Sequence, residues 1–208
     1  MEALRLPDGR EVDCKYFVNW RTWLWARPTC EALRFLGSLQ GKRVLEFGGG
    51  DGRMSCLLAL MGAEVTMVDI TRSASVEREI TKWNVSGRVH YIITDGTLKA
   101  LEEKFCDAIF GKSVLYCIAD LPGLLDEFNR VLVPGGRFAF VENYRGGCAL
   151  MWLRRACIYR SRRTTDARYF GIRPGQIEIF RNRFDILRAE RHRCLVYLIC
   201  GEKRVEQL

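Results

Sequence analysis

A glycine-rich turn after a short apolar segment is the feature that most constrains how this chain can fold. Residues 44–47 are mostly apolar, and four glycines follow within five positions, at 48, 49, 50 and 52. This pattern predicts a buried strand that turns sharply, with open space beside the backbone where side chains are missing. A helix at about 52–61 would point its first N–H groups back at the turn, which favours a polar or anionic ligand group. The segment is therefore typical of a ligand turn in a Rossmann-like fold.

Glu46, which stands before the glycines, narrows the choice of ligand. A carboxylate at the end of this strand would repel a pyrophosphate and favour a cationic ligand. The stretch from Gly50 to Ser55 is an imperfect version of the G-x-G-x-x-G dinucleotide fingerprint, which disfavours a nicotinamide dehydrogenase. Taken as E-x-G-x-G-x-G, from Glu46 to Gly52, the sequence resembles motif I of class I S-adenosylmethionine-dependent methyltransferases.

Strands and helices alternate after Lys42, which is typical of a parallel sheet covered on both faces. The pattern predicts a Rossmann-like, doubly wound α/β fold with strands at 43–47, 63–69, 88–93, 106–111 and 136–142. Helices are predicted at 28–39, 52–61, 73–84, 97–103 and 121–132. Pro28 would open the first helix and Gly41 would end it, and 134–136 would form a turn. A short helix near 174–181 and a hairpin of 184–190 with 194–200 would close the chain.

The length of 208 residues predicts one domain, 1–208, with two less regular parts. Residues 1–41 are expected to form an aromatic and helical N-terminal cover. Within it, 16–27 contains three tryptophans and two other aromatic residues. Packing on the domain is favoured for this segment, and a lid over the ligand is the alternative. Residues 144–182 are expected to be an arginine-rich insertion on the side of the methyl acceptor.

Basic residues are concentrated in the last third of the chain. The net charge is +8, and residues 145–208 hold 15 of the 33 Lys and Arg but 6 of the 25 Asp and Glu. The apolar segment 146–163 carries five arginines and is predicted to be helical. It could cover the acceptor pocket, contact a membrane surface or lipid-like acceptor, or bind RNA phosphates. Nucleic acid is the least favoured partner because no RNA-binding module is recognisable.

Cysteine and histidine usage argues against a metal site or a disulfide framework. The nine cysteines are an odd number without C-x-x-C spacing, and the chain has two histidines. Several cysteines lie in apolar runs, where a reduced thiol behaves as a small hydrophobic side chain. Residues 1–13 contain no hydrophobic signal segment, and no apolar run approaches the roughly 18 residues of a membrane span. These features predict a cytoplasmic protein.

Polar residues follow the predicted strands at the edge where a parallel α/β sheet binds ligands. Asp69 ends the second strand about 20 residues after the glycines, where a carboxylate can accept hydrogen bonds from ribose hydroxyls. Asp95, before Gly96, has two equally weighted interpretations: it accepts a hydrogen bond from an adenine amine, or it caps a helix. Lys112 and Ser113, after the fourth strand, would lie between cofactor and substrate.

With these residues the resemblance extends over nearly the whole chain, and it is to the methyltransferase type 11 group. It rests on motif I at 44–53, Asp69, the Asp95–Gly96 pair, the strand at 105–109 and the segment 132–137. It implies a sheet of about seven strands, mostly parallel with a C-terminal antiparallel hairpin, and S-adenosylmethionine as cofactor with S-adenosylhomocysteine as product. The cofactor contacts it implies are Glu46, Gly48, Gly49, Gly50, Asp69, Ile70, Asp95, Gly96, Lys112 and Ser113.

The methyl acceptor is less well defined by the sequence. Tyr116-Cys117 stands where many relatives of this group carry a histidine pair, and the N-P-P-Tyr/Phe motif for amino groups of bases or glutamine is missing. In-line methyl transfer needs mainly alignment, and a base only where the nucleophile begins protonated. Candidate catalytic residues are Tyr116, Glu142 and Tyr144, whereas His192 is expected to be an exposed turn residue.

The leading hypothesis is a methyltransferase that acts on a small-molecule or lipid-like acceptor. The alternatives are a non-catalytic protein that binds S-adenosylmethionine or a partner, and an RNA methyltransferase that uses the basic last third of the chain.

Overall fold

The chain forms a small N-terminal hairpin and a large central sheet in the structure, a computed structural model that describes residues 3–18, 25–144, 171–173, 175–192 and 196–205. The hairpin consists of β1 (Ala3–Arg5) and β2 (Glu11–Asp13). The strands of the central sheet are β3 (Arg43–Phe47), β4 (Glu64–Asp69), β5 (Val89–Ile93), β6 (Cys106–Lys112), β7 (Leu132–Asn143), β8 (Phe184–His192) and β9 (Val196–Lys203). The predicted arginine-rich segment 146–163 lies outside the described residues.

The central sheet has the order β5-β4-β3-β6-β7-β9-β8. Neighbouring strands from β5 to β7 pair in parallel, whereas β9 pairs antiparallel with both β7 and β8. The predicted fold, a mostly parallel seven-stranded sheet with a C-terminal antiparallel hairpin, is therefore confirmed. Because β3 to β7 run in the same direction, the polar residues that follow them meet at one edge of the sheet.

Five helices of the described chain cover the sheet: α1 (Ala26–Leu36), α2 (Arg53–Leu60), α3 (Ser75–Trp83), α4 (Leu121–Val131) and α5 (Gln176–Arg181). The start of α4 follows from its sequence, since the side chain of Asp120 accepts a hydrogen bond from the Gly123 N–H at 3.0 Å and a proline lies in the first turn. The prediction for α1 is wrong at its C-terminus. Gly37 ends that helix with a φ of +78°, four residues before Gly41.

The helix predicted at 97–103 is wrong, because this segment consists of turns. The side chains of Leu98 and Leu101 are buried, so the apolar spacing is real. Their carbonyl oxygens, however, accept hydrogen bonds from the guanidinium of Arg130 on α4, at 2.9 and 2.7 Å. A distant arginine thus satisfies the backbone groups that a helix would have paired internally.

The turn predicted at 134–136 is also wrong, since these residues belong to the irregular first part of β7. Cys106 pairs with Leu132 and Ala108 pairs with Arg137, so a bulge absorbs the extra residues. Glycine suits this bulge because Gly135 has a φ of +70°.

The apolar side chains pack in two layers, one on each face of the sheet. Part of the N-terminal segment joins one layer: Phe17 is buried and stacks on Trp83 of α3 at 4.6 Å, and Trp25 is buried as well. This agrees with packing on the domain, whereas residues 19–24 lie outside the described chain. Five cysteines of the described chain are buried: Cys14, Cys30, Cys56, Cys106 and Cys200. Within the described residues, every helix is too short or too polar to span a membrane.

Candidate functional site

The glycine turn connects β3 to α2 in a conformation that requires glycine. Gly48, Gly50 and Gly52 have φ values of +74°, +56° and +81°. A Cβ atom at Gly48 would lie 2.4 Å from Val114 Cγ2, and one at Gly49 would lie 2.4 Å from Met67 Cγ. At Gly50 a Cβ would meet nothing within 4 Å. Two glycines thus permit close contact with neighbouring side chains, and the third leaves open space beside the turn.

Gly48→Ala is expected to destabilise the fold by about 1–3 kcal/mol more than Gly41→Ala, because it adds a clash with the stiff side chain of Val114. Gly41 is the matched control, since it has a similar φ of +68° and a Cβ there would meet no atom within 4 Å. Urea unfolding of the two variants measures the difference. Equal losses of unfolding free energy would show that the turn tolerates a side chain at 48.

Asp69 connects the glycine turn to the end of β4. Its Oδ2 accepts a hydrogen bond from the Gly50 N–H at 2.8 Å, and its Oδ1 accepts one from the Ile70 N–H at 2.7 Å. The carboxylate therefore holds the turn in place, and its remaining lone pairs are open to further donors because the side chain is only half-buried. Ile70 beside it is 64% exposed, an unusual position for a large apolar side chain.

A cavity of about 900 Å³ opens at the carboxyl edge of β3 to β6. Eight of the ten predicted cofactor residues line this cavity: Gly48, Gly50, Asp69, Ile70, Asp95, Gly96, Lys112 and Ser113. Glu46 and Gly49 do not. Val114, in the segment after the fourth strand, lines the cavity as well. Further lining residues that sequence reasoning missed come from the loop after β6 and from α4: Cys117, Ile118, Ala119, Asp120, Gly123, Leu124 and Glu127. Asp120 and the proline that follows form a recognisable helix-capping pattern, which marks the start of α4. This pattern could have indicated from the sequence where the α4 part of the wall begins.

Asp95 does not cap a helix, because no helix begins there. Its Oδ1 accepts hydrogen bonds from the backbone N–H and the hydroxyl of Thr97, at 3.0 and 2.6 Å. These bonds hold the pKa of Asp95 below its usual value, so the carboxylate is charged at neutral pH. Contact with an adenine amine stays a prediction.

Glu46 lies behind the glycine turn and is 2% exposed. Its Oε2 accepts a hydrogen bond from the Ser55 hydroxyl on α2. Burial raises the pKa of this carboxyl to about 8, and the Ser55 hydrogen bond and Lys112 only partly oppose that shift. Its contact with a cofactor stays a prediction, and in the structure its hydrogen bond to Ser55 connects β3 to α2.

Glu142, at the end of β7, is fully buried and holds the loop after β6. Its Oε1 accepts hydrogen bonds from the backbone N–H groups of Val114 and Leu115, at 2.9 and 3.0 Å. Burial raises the pKa of Glu142 to about 7, against the opposing effect of these hydrogen bonds. The neighbouring Asn143 donates from Nδ2 to Ser113 Oγ at 2.8 Å, and Ser113 has a φ of +60°, which is uncommon for serine. Among the described residues, Glu142 Oε2 and Asn143 Oδ1 are buried without a hydrogen-bond partner.

The two tyrosines proposed as catalytic residues lie outside the cavity wall, as does Glu142. Burial raises the pKa of Tyr116 to about 12, which disfavours a phenolate at neutral pH. Tyr144 stacks on Tyr197 at 5.4 Å and lies under the guanidinium of Arg191 at 5.5 Å. Tyr116 is nevertheless linked to the cavity, because its side chain hydrogen-bonds to the lining residue Ser113.

His192 is not an exposed turn residue, because it ends β8 and is mostly buried. Its Nε2 lies 3.6 Å from Glu31 Oε2 and 3.5 Å from Glu190 Oε1. The guanidinium of Arg188 lies 2.9 Å from the same oxygen of Glu31, so a cation already occupies this cluster. The cluster joins α1 to β8 and lies outside the cavity.

Comparison with known proteins gives consistent matches. Residues 45–140 match a family model described as a methyltransferase domain. A demethylmenaquinone methyltransferase from Tropheryma whipplei is 34% identical over 121 residues, covering 57% of this chain and 47% of that protein. A ubiquinone/menaquinone biosynthesis C-methyltransferase from Vibrio cholerae is 30% identical over 124 residues, covering 57% and 46%. The chain thus spans about half the length of these curated relatives.

Solved structures match over most of the chain. A SAM dependent methyltransferase from Aquifex aeolicus superposes with a TM-score of 0.70 at 14% identity, covering 91% of this chain and 96% of that one. The cyclase SpnF superposes with a TM-score of 0.71 at 18% identity, covering 90% and 83%. At these identities the likeness establishes the fold.

Proposed function

We propose that the chain, whose residues 45–140 match a methyltransferase domain, is a class I S-adenosylmethionine-dependent methyltransferase that transfers a methyl group from this cofactor to a small or lipid-like acceptor. The observation that carries the proposal is the cavity in which the glycine turn, Asp69 and the Asp95–Gly96 pair meet at one edge of the sheet. These residues come from three separate parts of the sequence.

The described residues fit S-adenosylmethionine. Open space in front of Gly50 admits a ligand close to the backbone. Beyond the turn, Asp69 offers carboxylate oxygens to ribose hydroxyls, and Ile70 offers an exposed apolar surface to a flat ring. Asp95 offers a charged acceptor to an exocyclic amine farther along the same edge. The glycine turn, Asp69 and Asp95 follow β3, β4 and β5, which are neighbours in the sheet.

The bound cofactor would supply an activated methyl group on a sulfonium. The contribution of this chain would be to align the acceptor with that methyl group and to exclude water, which can lower a barrier by up to about 7–11 kcal/mol. Glu142 holds the loop after β6 through two backbone amides, so it positions the cavity floor. Since Tyr116 keeps its proton, we expect an acceptor whose nucleophilic atom is already ionised or carries a lone pair at neutral pH.

The curated relatives support an apolar acceptor. One is named as a demethylmenaquinone methyltransferase and another as a ubiquinone/menaquinone biosynthesis C-methyltransferase, so both names refer to quinones. An acceptor of similar chemistry would fit the apolar wall of the cavity formed by Val114, Ile118 and Leu124. We propose that the arginine-rich segment 146–163 covers this acceptor, or contacts a membrane from which the acceptor is drawn.

A non-catalytic or non-methylating role is the second candidate, because none of the three proposed catalytic residues lines the cavity. The likeness to the cyclase SpnF shows that proteins with other names share this fold.

Isothermal titration calorimetry with S-adenosylhomocysteine tests the proposed cofactor, and we expect saturable binding in the micromolar range. Transfer of labelled methyl from S-adenosylmethionine to a bacterial lipid extract or to hydroxylated quinones then tests the activity. Binding without any transfer would favour the non-catalytic alternative. An absence of binding at high micromolar ligand would rule out both.

A further inference from the structure

Lys112 is a basic residue that lines the cavity, and the proposed function gives it no binding partner. It is the last residue of β6 and is partly exposed to the cavity. Within the described chain, its closest charge-related contact is the ring of Trp25, whose centroid lies 5.7 Å from Nζ. The described residues offer Lys112 no carboxylate within ion-pair distance. An ammonium placed this way favours a ligand that supplies the missing acceptor.

The contacts of the nearby acids are with groups other than Lys112, and Glu142 Oε2 has no hydrogen-bond partner among the described residues. Glu46 accepts a hydrogen bond from Ser55, and Glu142 accepts two from backbone amides. Asp51 forms an ion pair with Arg53 at 3.3 Å. These acids attract the ammonium across a distance, whereas burial acts in the opposite direction and lowers the pKa of Lys112. Lys112 therefore lies near several acids of the described chain without forming an ion pair with any of them.

Lys112 lies at one end of the cavity. It lies where β6 ends, next to the glycine turn and on the opposite side of that turn from Asp69 and Asp95, because β6 and β4 flank β3. If Asp69 and Asp95 hold the nucleoside, Lys112 faces the end of the cofactor that carries the amino acid and the methyl group. This is also the end that an acceptor must reach.

We propose that the ammonium of Lys112 binds an anionic oxygen of a molecule in the cavity. The inference rests on the proposed function, and the shared chemistry has two possible sources. One is the carboxylate of the cofactor, and the other is an acidic oxygen of the acceptor, such as a phenolate or enolate. In either case Lys112 determines which molecules fit, because a neutral ligand would leave its charge unpaired.

Lys112→Met tests the proposal with two pairs of probes. The first pair is S-adenosylhomocysteine and methylthioadenosine, which lacks the amino-acid carboxylate. The second is 2-hydroxy-1,4-naphthoquinone, an anion at neutral pH, and the neutral 1,4-naphthoquinone. We expect the variant to bind the anionic member of one pair roughly 10- to 100-fold more weakly, the size of a lost hydrogen bond to a charged group. The neutral member should be unaffected. Lys112→Arg, which keeps the charge, should restore most of the affinity.

The pair that responds identifies the source of the anion. Loss confined to S-adenosylhomocysteine assigns the cofactor carboxylate, and loss confined to the hydroxynaphthoquinone assigns the acceptor. Lys42→Met is the matched control, since Lys42 is exposed and precedes β3 at the opposite edge of the sheet. Thermal unfolding shows whether each variant is folded. If wild type binds S-adenosylhomocysteine and Lys112→Met binds each of the four probes as tightly as wild type does, the inference is overturned while the proposed function stands.

Discussion

Asp69→Ala is expected to weaken the binding of S-adenosylhomocysteine by about 2–3 kcal/mol, or roughly 30- to 150-fold. The substitution removes two contributions at once. It removes the acceptor proposed for the ribose hydroxyls, and it removes the acceptor that holds the Gly50 N–H at 2.8 Å. The glycine turn would then keep only its backbone hydrogen bonds to Val68 at the end of β4. Calorimetry on the purified variant measures the change in Kd.

Asp107→Ala is the matched control for this experiment. Asp107 also accepts a hydrogen bond from a backbone N–H on a neighbouring strand, that of Arg43 at 2.8 Å, but it does so at the amino edge of the sheet. Its loss should leave the Kd for S-adenosylhomocysteine unchanged. Asp69→Asn should give an intermediate affinity, because one acceptor oxygen remains. If Asp69→Ala binds as tightly as the Asp107 control, Asp69 has no part in the cofactor site.

The cofactor side of the site is predictable from sequence because its chemistry is local. Glycines at 48–52 can only follow a strand in a few conformations, and Asp69 and Asp95 each end a strand of recognisable apolar pattern. Parallel pairing of β4 with β5 brings the two strand ends to the same edge. The fold class alone is then enough to place these groups together.

The acceptor side is not predictable in this way, because it depends on contacts between distant residues. Glu142 holds the amides of Val114 and Leu115, and Asn143 reaches Ser113 across 30 positions. The same limitation explains the missing helix at 97–103, whose carbonyl groups are taken by Arg130. Glu46 is an example at a single residue. The sequence pattern places it on the strand, but the position of its buried carboxyl depends on a hydrogen bond from Ser55 of α2.

Burial of Glu46 should make the fold less stable as the pH rises, and Glu46→Gln should remove much of that loss. The pKa of Glu46 is raised to about 8, above the value of an exposed carboxyl. Below the unfolded pKa both states are protonated, and Glu46 has no effect on the pH dependence. Between the unfolded pKa and about pH 8 the unfolded chain has lost its proton while the folded chain keeps it, so unfolding free energy falls with increasing pH. The total loss is on the order of 4 kcal/mol.

The difference in unfolding free energy between Glu46→Gln and wild type is the quantity to measure, by urea unfolding at several pH values in the absence of cofactor. It should grow in favour of the variant from pH 5 to pH 8 and then stay constant. Glutamine can still accept the Ser55 hydrogen bond, so the turn keeps its support. Using the difference also cancels the contribution of Glu142, whose raised pKa acts in the same direction. Glu64→Gln, which replaces an exposed carboxylate at the start of β4, controls for the substitution itself. A difference that is constant from pH 5 to pH 9 would show that Glu46 is already ionised in the folded protein.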